Sequence, residues 1–359
     1  MAYFDDMKLS IESLSGGKNT VIFDDLDMPS IFVRIPKYNI SEILTGGADE
    51  IHPAFIVDGV EKNLIYISKY QNIVMNNRAY SLPFKDPRVN VNFDQAKLYC
   101  ENKGIGHHLM TNAEWAAIAL WCRKNGFMPR GNNNYGKDHS APLEKGVPTH
   151  MADATRVGRV ATGSGPESWA HDNTNAGIFD LNGNVYEWVG GYRTADGEIQ
   201  IIPDNNAAKH IDQSADSNLW RAILQNGSLV NPGTAASLKW DYTNPVPPGG
   251  TSSYPYRLVT SIVNSPDNES AYGATSFAAL NAADGVSAPE ILKALAIMPA
   301  DNGDHGGDMS YMRNIGERVA LRGGYWARTS YAGVFYVLLN APRSHSNTNI
   351  GFRSAFVDL

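Results

Sequence analysis

The sequence predicts an α+β fold, and three observations carry that prediction. Short segments alternate apolar and polar residues as half-buried strands do, Ile31, Val33 and Ile35 being the clearest set. Two consecutive stretches instead place apolar residues at helical spacing behind good capping residues. Long runs rich in Gly, Asn, Ser and Pro lie between and after them, as turns and loops require. With 359 residues, 43% hydrophobic and 19% charged, the chain can bury a sizeable core and is not of the disordered type.

Taken in order, residues 1–28 are acidic, with a turn at Gly16-Gly17, and are expected to form an arm or attachment segment ahead of one domain over 29–359. Ala54–Val57 and Leu64–Ile67 are expected as strands joined around Asp58-Gly59. Phe93, Ala96, Lys97, Tyr99 and Cys100 predict a helix with Asn92 as N-cap and Gly104 as its stop. Thr111-Asn112-Ala113-Glu114 is a capping box: the Thr oxygen can accept from the Glu backbone N–H while the Glu carboxylate returns the bond. It opens a second helix with Trp115, Ile118, Ala119 and Trp121 or Cys122 on its apolar face and Gly126 at its end. Residues 126–175 are expected as loop, with His107-His108 in a connecting loop, and 178–188 as strand–turn–strand. About 190–312 is a long loop-rich insertion with one helix near Pro289–Met298, and strands return at 319–321, 334–339 and 352–357.

The bulk properties exclude several classes of function. A net charge of −7 without basic runs argues against nucleic acid. No stretch approaches the roughly 20 apolar residues of a membrane span. The first residues lack a basic start and a signal-length apolar run, so the expectation is a protein made in the cytoplasm without a signal peptide, reaching the outside, if at all, as part of a virion or tail fibre. Cys100 and Cys122 are too few for a disulfide framework and are expected as buried thiols. Gly163-Ser164-Gly165 lacks the lysine of a phosphate loop, and His107-His108 has no partner at zinc spacing.

Four segments stand in a telling order: Val91–Cys100; Leu109–Trp115; Gly177–Trp188 with Gly-Asn-Val-Tyr-Glu-Trp; and Leu321–Trp326 with Arg-Gly-Gly-Tyr-Trp, closed by Gly351-Phe352-Arg353. Together they resemble the formylglycine-generating, sulfatase-modifying branch of the C-type-lectin-like fold. Plain structural reasons serve the same residues. Gly183 and Gly323-Gly324 suit tight turns, Trp115, Trp188 and Trp326 suit core anchors, and the Arg353 fork suits pinning strand ends through carbonyls. The enzymes of that family use a pair of cysteines upstream of Gly-Phe-Arg. Here Gly333–Pro342 contains none, so the thiolate chemistry has no group to perform it.

A narrower resemblance covers Leu321 to Ala355, which looks like the variable region of retroelement-diversified proteins of the phage tropism-determinant type. In that group randomised template adenines turn Asn codons into codons for Tyr, Ser, Ala, Arg, His, Leu, Phe, Asp or Gly, but not Lys, Glu, Gln, Met or Trp. From Arg318 to the end there is no Lys, Glu, Gln or Met, and the single Trp is Trp326 of the framework. The resemblance implies a ligand-binding face over about 322–353, made by Tyr325, Ala327, Arg328, Ser330, Tyr331, Tyr336, Leu338, Asn340, Arg343 and His345, with Asn347 and Asn349 left unaltered. Tyr and Arg give contact area and small residues give adaptability, as in antibody paratopes. The partner it implies is a protein or glycan on a target cell, with self-association or attachment to a phage tail alongside. No cofactor is required. Asp180, Gly183, Val185 and Glu187 match the family's calcium positions and are candidates for a structural calcium site. The alternatives are an oxidase of the formylglycine-generating class and a fixed-specificity glycan-binding tail protein.

Overall fold

The computed structural model describes the chain from residue 2 to residue 359, with side chains from residue 5 onward. The two helices read from their caps are both present. Helix α1 spans Ala2–Leu14 and a single turn, α2, spans Ile40–Ile43. Helix α3 (Phe93–Glu101) starts at Asn92, whose side chain accepts from the Gln95 N–H. Helix α4 (Asn112–Asn125) starts at the Thr111–Glu114 capping box and stops at Gly126, at φ +73°. It is buried along nearly its whole length, well beyond the apolar face expected, because both sheets and the 190–312 segment pack around it. Helix α5 is short, Glu290–Ala294.

Two sheets pack against α4, one on each side. The first runs in the order 19–23, 29–36, 64–68, 354–356, 107–109. The second has 12 strands and is built on 186–195, 317–323 and 333–339 at its centre, with 350–352 lying parallel to 186–195. The C-terminal chain therefore crosses from one sheet to the other at Arg353. Gly183 carries φ +81°, and a Cβ there would stand 2.2 Å from the Asn132 carbonyl oxygen, so the turn admits only glycine.

Several expectations need correction. The segment expected as an arm forms α1 and the edge strand Asn19–Phe23, paired antiparallel with Pro29–Pro36. Glu12 accepts hydrogen bonds from Thr20 Oγ1 (2.6 Å) and Arg34 (2.7 Å), which ties the helix to that sheet. Pro53–Phe55 is a helical turn, and Asp58-Gly59 joins only the two-residue strands 56–57 and 60–61 rather than reaching 64–68. His107-His108 is a buried strand of the first sheet, not a loop. Residues 178–185 are irregular, and the strand begins at Tyr186.

The 190–312 segment is rich in loops as expected, but its short strands extend the second sheet on both edges. Trp240, Tyr242, Tyr256, Leu258, Phe277 and Leu292 from it belong to the largest core cluster. Strands of two to five residues carry too few alternations to show a period in the sequence.

Candidate binding site

The framework motifs take the roles their chemistry suggests. Trp115 and Trp188 are fully buried, and their indole N–H groups donate to the carbonyls of Val334 (2.7 Å) and Val91 (3.0 Å). Trp326 is buried in a smaller cluster with Val89 and Val185. Arg353 donates to the carbonyls of Ser68 and Phe179, both at 2.9 Å, and forms a two-pronged pair with Glu187 at 2.8 Å on each prong.

That arrangement bears directly on the calcium candidates. Both carboxylate oxygens of Glu187 are taken by Arg353, and Oε1 also accepts from Gln71. The Gln71 amide also reaches the carbonyls of Asp180 and Val185. Asp180 uses one carboxylate oxygen to accept from the Gly163 N–H, while burial pushes its pKa up to about 6. Gly183 is bonded through its N–H to the Gly323 carbonyl. Of the four calcium candidates, Glu187 is thus committed to a guanidinium and an amide, and the Val185 carbonyl meets that amide, whereas Asp180 Oδ1 is buried without a hydrogen-bond partner. Among the described residues no group of three or more His, Cys, Asp or Glu is placed to hold a metal.

The cysteines sit apart in two different core clusters, both fully buried, and burial pushes both thiols far above their ordinary range.

The residues expected on the binding face divide into two sets. Arg328 is followed by a helical turn, Thr329–Tyr331, whose three residues are exposed, Tyr331 at 49%. The Thr329 N–H donates to the Asn133 carbonyl and the Tyr135 N–H to the Trp326 carbonyl, so the Gly131–Tyr135 loop braces this segment from below. Tyr325 is half-buried, its ring 5.0 Å from that of Tyr186 and 5.1 Å from the Arg328 guanidinium carbon. Ala327 packs partly under Trp326.

Arg328, Leu338, Asn340 and His345 line one open cleft of about 280 Å³, together with Tyr186, Arg313, Asn347 and Asn349. Arg328 Nε donates to Tyr186 Oη at 2.6 Å.

Three expected residues are not on an open face. Tyr336 is fully buried, its hydroxyl 3.1 Å from that of Tyr186. Leu338 is buried and reaches the cleft only as part of its wall. Both lie on the strand Gly333–Leu339, which runs between 317–323 and 309–312 and is covered on both faces. Arg343 is committed to Glu317 (2.7 and 2.8 Å), Asp94 (2.7 Å) and the Gln213 carbonyl (2.9 Å), and so clamps α3 to the second sheet. The resemblance placed Tyr336 and Leu338 on the exposed face, but a central strand covered on both sides has no outward side. Tyr186 and Arg313 were missed. Tyr186 stands inside Gly-Asn-Val-Tyr-Glu-Trp, and Arg313 carries no local pattern.

A family model described as the sulfatase-modifying factor enzyme 1-like domain matches residues 16–230. No curated protein sequence matches the chain. Among solved structures it is similar to PvdO from Pseudomonas aeruginosa, with 15% identity over 94% of this chain and 97% of that one and a TM-score of 0.39. It is similar as well to variable protein 1 of Treponema denticola, with 14% identity, coverage of 94% and 98%, and a TM-score of 0.32. The U1 variant of the major tropism determinant shows 13% identity over 91% of this chain and 62% of that one, with a TM-score of 0.31. The family match spans more than half of the chain and takes in the first sheet's opening strands, both capped helices and the Gly-Asn-Val-Tyr-Glu-Trp run. The chain belongs to the sulfatase-modifying factor enzyme 1-like domain family.

Proposed function

We propose that this protein is a ligand-binding display protein whose surface around 325–349 is diversified by a retroelement, and that it serves as a phage tail adhesin rather than as an oxidase. One observation carries the reading. Arg328, Asn340 and His345, drawn from three separate segments, share one cleft, and the exposed turn Thr329–Tyr331 adjoins it on a braced loop. A rigid scaffold presenting variable loop residues is the arrangement binding surfaces use. The absence of Lys, Glu, Gln and Met after Glu317 supports the diversification step. Against the oxidase stands the state of the thiols: buried and held protonated, neither can act as a nucleophile or a copper ligand.

The test begins with the DNA beside the gene, where a near-identical repeat of the 322–353 coding region and a reverse transcriptase gene are expected. Binding is then sought on whole bacterial cells. A variant with Arg328, Ser330, Tyr331 and His345 changed to Ala should stay folded by circular dichroism and lose at least about tenfold in affinity, about 1.4 kcal/mol. Retained binding by that variant would move the ligand site elsewhere. Formylglycine formed from a cysteine-bearing sulfatase peptide, and lost on mutating Cys100 or Cys122, would restore the oxidase.

A further inference from the structure

We propose that the cleft between Tyr186 and His345 binds a sugar bearing a carboxylate, held by Arg313 and Arg328 together. This rests on the reading of the 325–349 surface as the binding face and names the chemistry of its ligand.

Two guanidiniums and no Asp or Glu line the cleft. Arg328 spends only Nε, on Tyr186 Oη, and three tyrosine rings, Tyr186, Tyr311 and Tyr325, stand 5.1 to 5.8 Å from its guanidinium carbon. Arg313 donates Nε to the Ala271 carbonyl (3.3 Å) and Nη1 to the Asn340 carbonyl (3.1 Å). Neither forms a salt bridge among the described residues, whereas Arg343 and Arg318 are both matched by glutamates. A guanidinium held by aromatic rings and carbonyls keeps its charge and leaves its remaining N–H groups to be matched by an anion. The planar fork suits a carboxylate best.

The remaining wall says what carries that carboxylate. Asn340, Asn347, Asn349 and His345 crowd a cleft of about 280 Å³. Asn349 Oδ1 is buried without a hydrogen-bond partner, and neither the His345 ring nor the Asn340 amide is bonded within the chain among the described residues. An aspartate or glutamate side chain entering here would bring a carboxylate and methylenes only. It would cover these amides without bonding them, which costs about 1–3 kcal/mol for each group left unmet. A sugar ring brings hydroxyls that both donate and accept. The volume stands at the small end for ligand sites and suits a single ring rather than an extended peptide.

The experiment titrates the intact protein with glucuronic acid, N-acetylneuraminic acid, glucose and a glutamate-rich peptide, followed by amide chemical shifts. The acidic sugars should bind, with shifts at Tyr186, Arg328 and His345, and glucose at least tenfold more weakly. Arg328→Lys keeps the charge but loses the fork, and should weaken the acidic sugars about tenfold while leaving the melting temperature unchanged. Arg313→Lys should do the same, and serves as the check if the first variant is unstable. Raising the salt concentration should weaken binding as well. The peptide binding in the cleft while the sugars do not would overturn the sugar assignment and leave the binding face intact. No probe binding, with whole-cell binding insensitive to both arginine variants, would overturn this proposal and the face together. Glucose binding as tightly as glucuronic acid would overturn the role of the arginine pair.

Discussion

Arg353 takes a full charge into a place closed to water, where it is stable only because acceptors surround it: the Glu187 carboxylate and the carbonyls of Ser68 and Phe179. Removing one partner of such a pair strands the other, at a cost of about 3–5 kcal/mol. Arg353→Met should lower stability by that amount in urea denaturation, and a loss below about 1 kcal/mol would show that the pair holds nothing together. Asp308 is the opposite case, a buried carboxyl with no cation paired to it among the described residues. Its Oδ2 accepts from the Phe335 N–H at 2.7 Å, and burial pushes its pKa up to about 8. The unfolded chain releases that proton near pH 4. Below that pH both states are protonated and the contribution is complete. Between about 4 and 8 the unfolded state binds fewer protons than the folded one, so stability falls as pH rises. Denaturation midpoints should therefore drop from about pH 6.5 to pH 8, since below that range the imidazoles of His52 and His171, whose pKa burial lowers to about 4, work the opposite way. Asp308→Asn should make the drop shallower, and equal slopes for parent and variant would show that the carboxyl is ionised. Neither the Arg353 partners nor the burial of Asp308 could be read from the sequence, since the partners lie from 27 to 285 residues away along the chain.

Helix α4 is where local chemistry and tertiary packing reinforce each other. Thr111 Oγ1 accepts from the Glu114 N–H (3.1 Å) and donates to Asn205 Oδ1 (2.6 Å), while Glu114 returns the bond to the Thr111 N–H and also meets His108 Nε2 at 2.9 Å. Burial works against charge on His108, but the Glu114 carboxylate outweighs it and raises the imidazole above its ordinary range. An N-cap Thr→Ala change costs about 0.5–2 kcal/mol. Thr111→Ala should fall at the top of that span, because Asn205 loses its donor too, and Thr111→Ser should recover more than half. Gly126, at φ +73° with open space where a Cβ would go, isolates the conformational term. Gly126→Ala should cost about 1–2 kcal/mol, the penalty of a left-handed residue, and Gly126→Asn less. Equal losses for the two would mean that the cap relaxes. Both ends of this helix were legible because capping is settled within four residues. The strands 221–223, 239–242 and 256–259 were not, because a short strand declares itself only through the neighbour it pairs with.

At the scale of the whole molecule, the two sheets are joined by a C-terminal chain that leaves one at Phe352 and enters the other at Ser354, and by α4 packed between them. The first sheet closes on the edge strand 19–23. Deleting residues 2–24 should bare the edge of 29–36 and lower the melting temperature by several degrees, with self-association increased over the intact chain, since an open edge invites pairing. Light scattering and a thermal melt check this. An unchanged melt with no added association would return that segment to the status of an attachment arm. No described helix is long and apolar enough to cross a membrane.

The sequence by itself determined the α+β class, the two capped helices, the tryptophan anchors and the family's order of motifs. Each of these depends on residues close together in the chain or on a pattern repeated within one segment. It also marked the stretch of the candidate face, through the resemblance of Leu321–Ala355 to a variable region and the residue types missing after Glu317. Only the tertiary structure decided which of those residues reach water. Tyr336 and Leu338 are enclosed by the strands on either side, Arg343 is consumed by Glu317 and Asp94, and the Glu187 carboxylate is consumed by Arg353 and Gln71. Exposure and partnership are properties of a residue's surroundings, and those are set by segments hundreds of positions away. The cleft that gathers Tyr186, Arg313, Arg328 and His345 exists for the same reason, and no local pattern announces it.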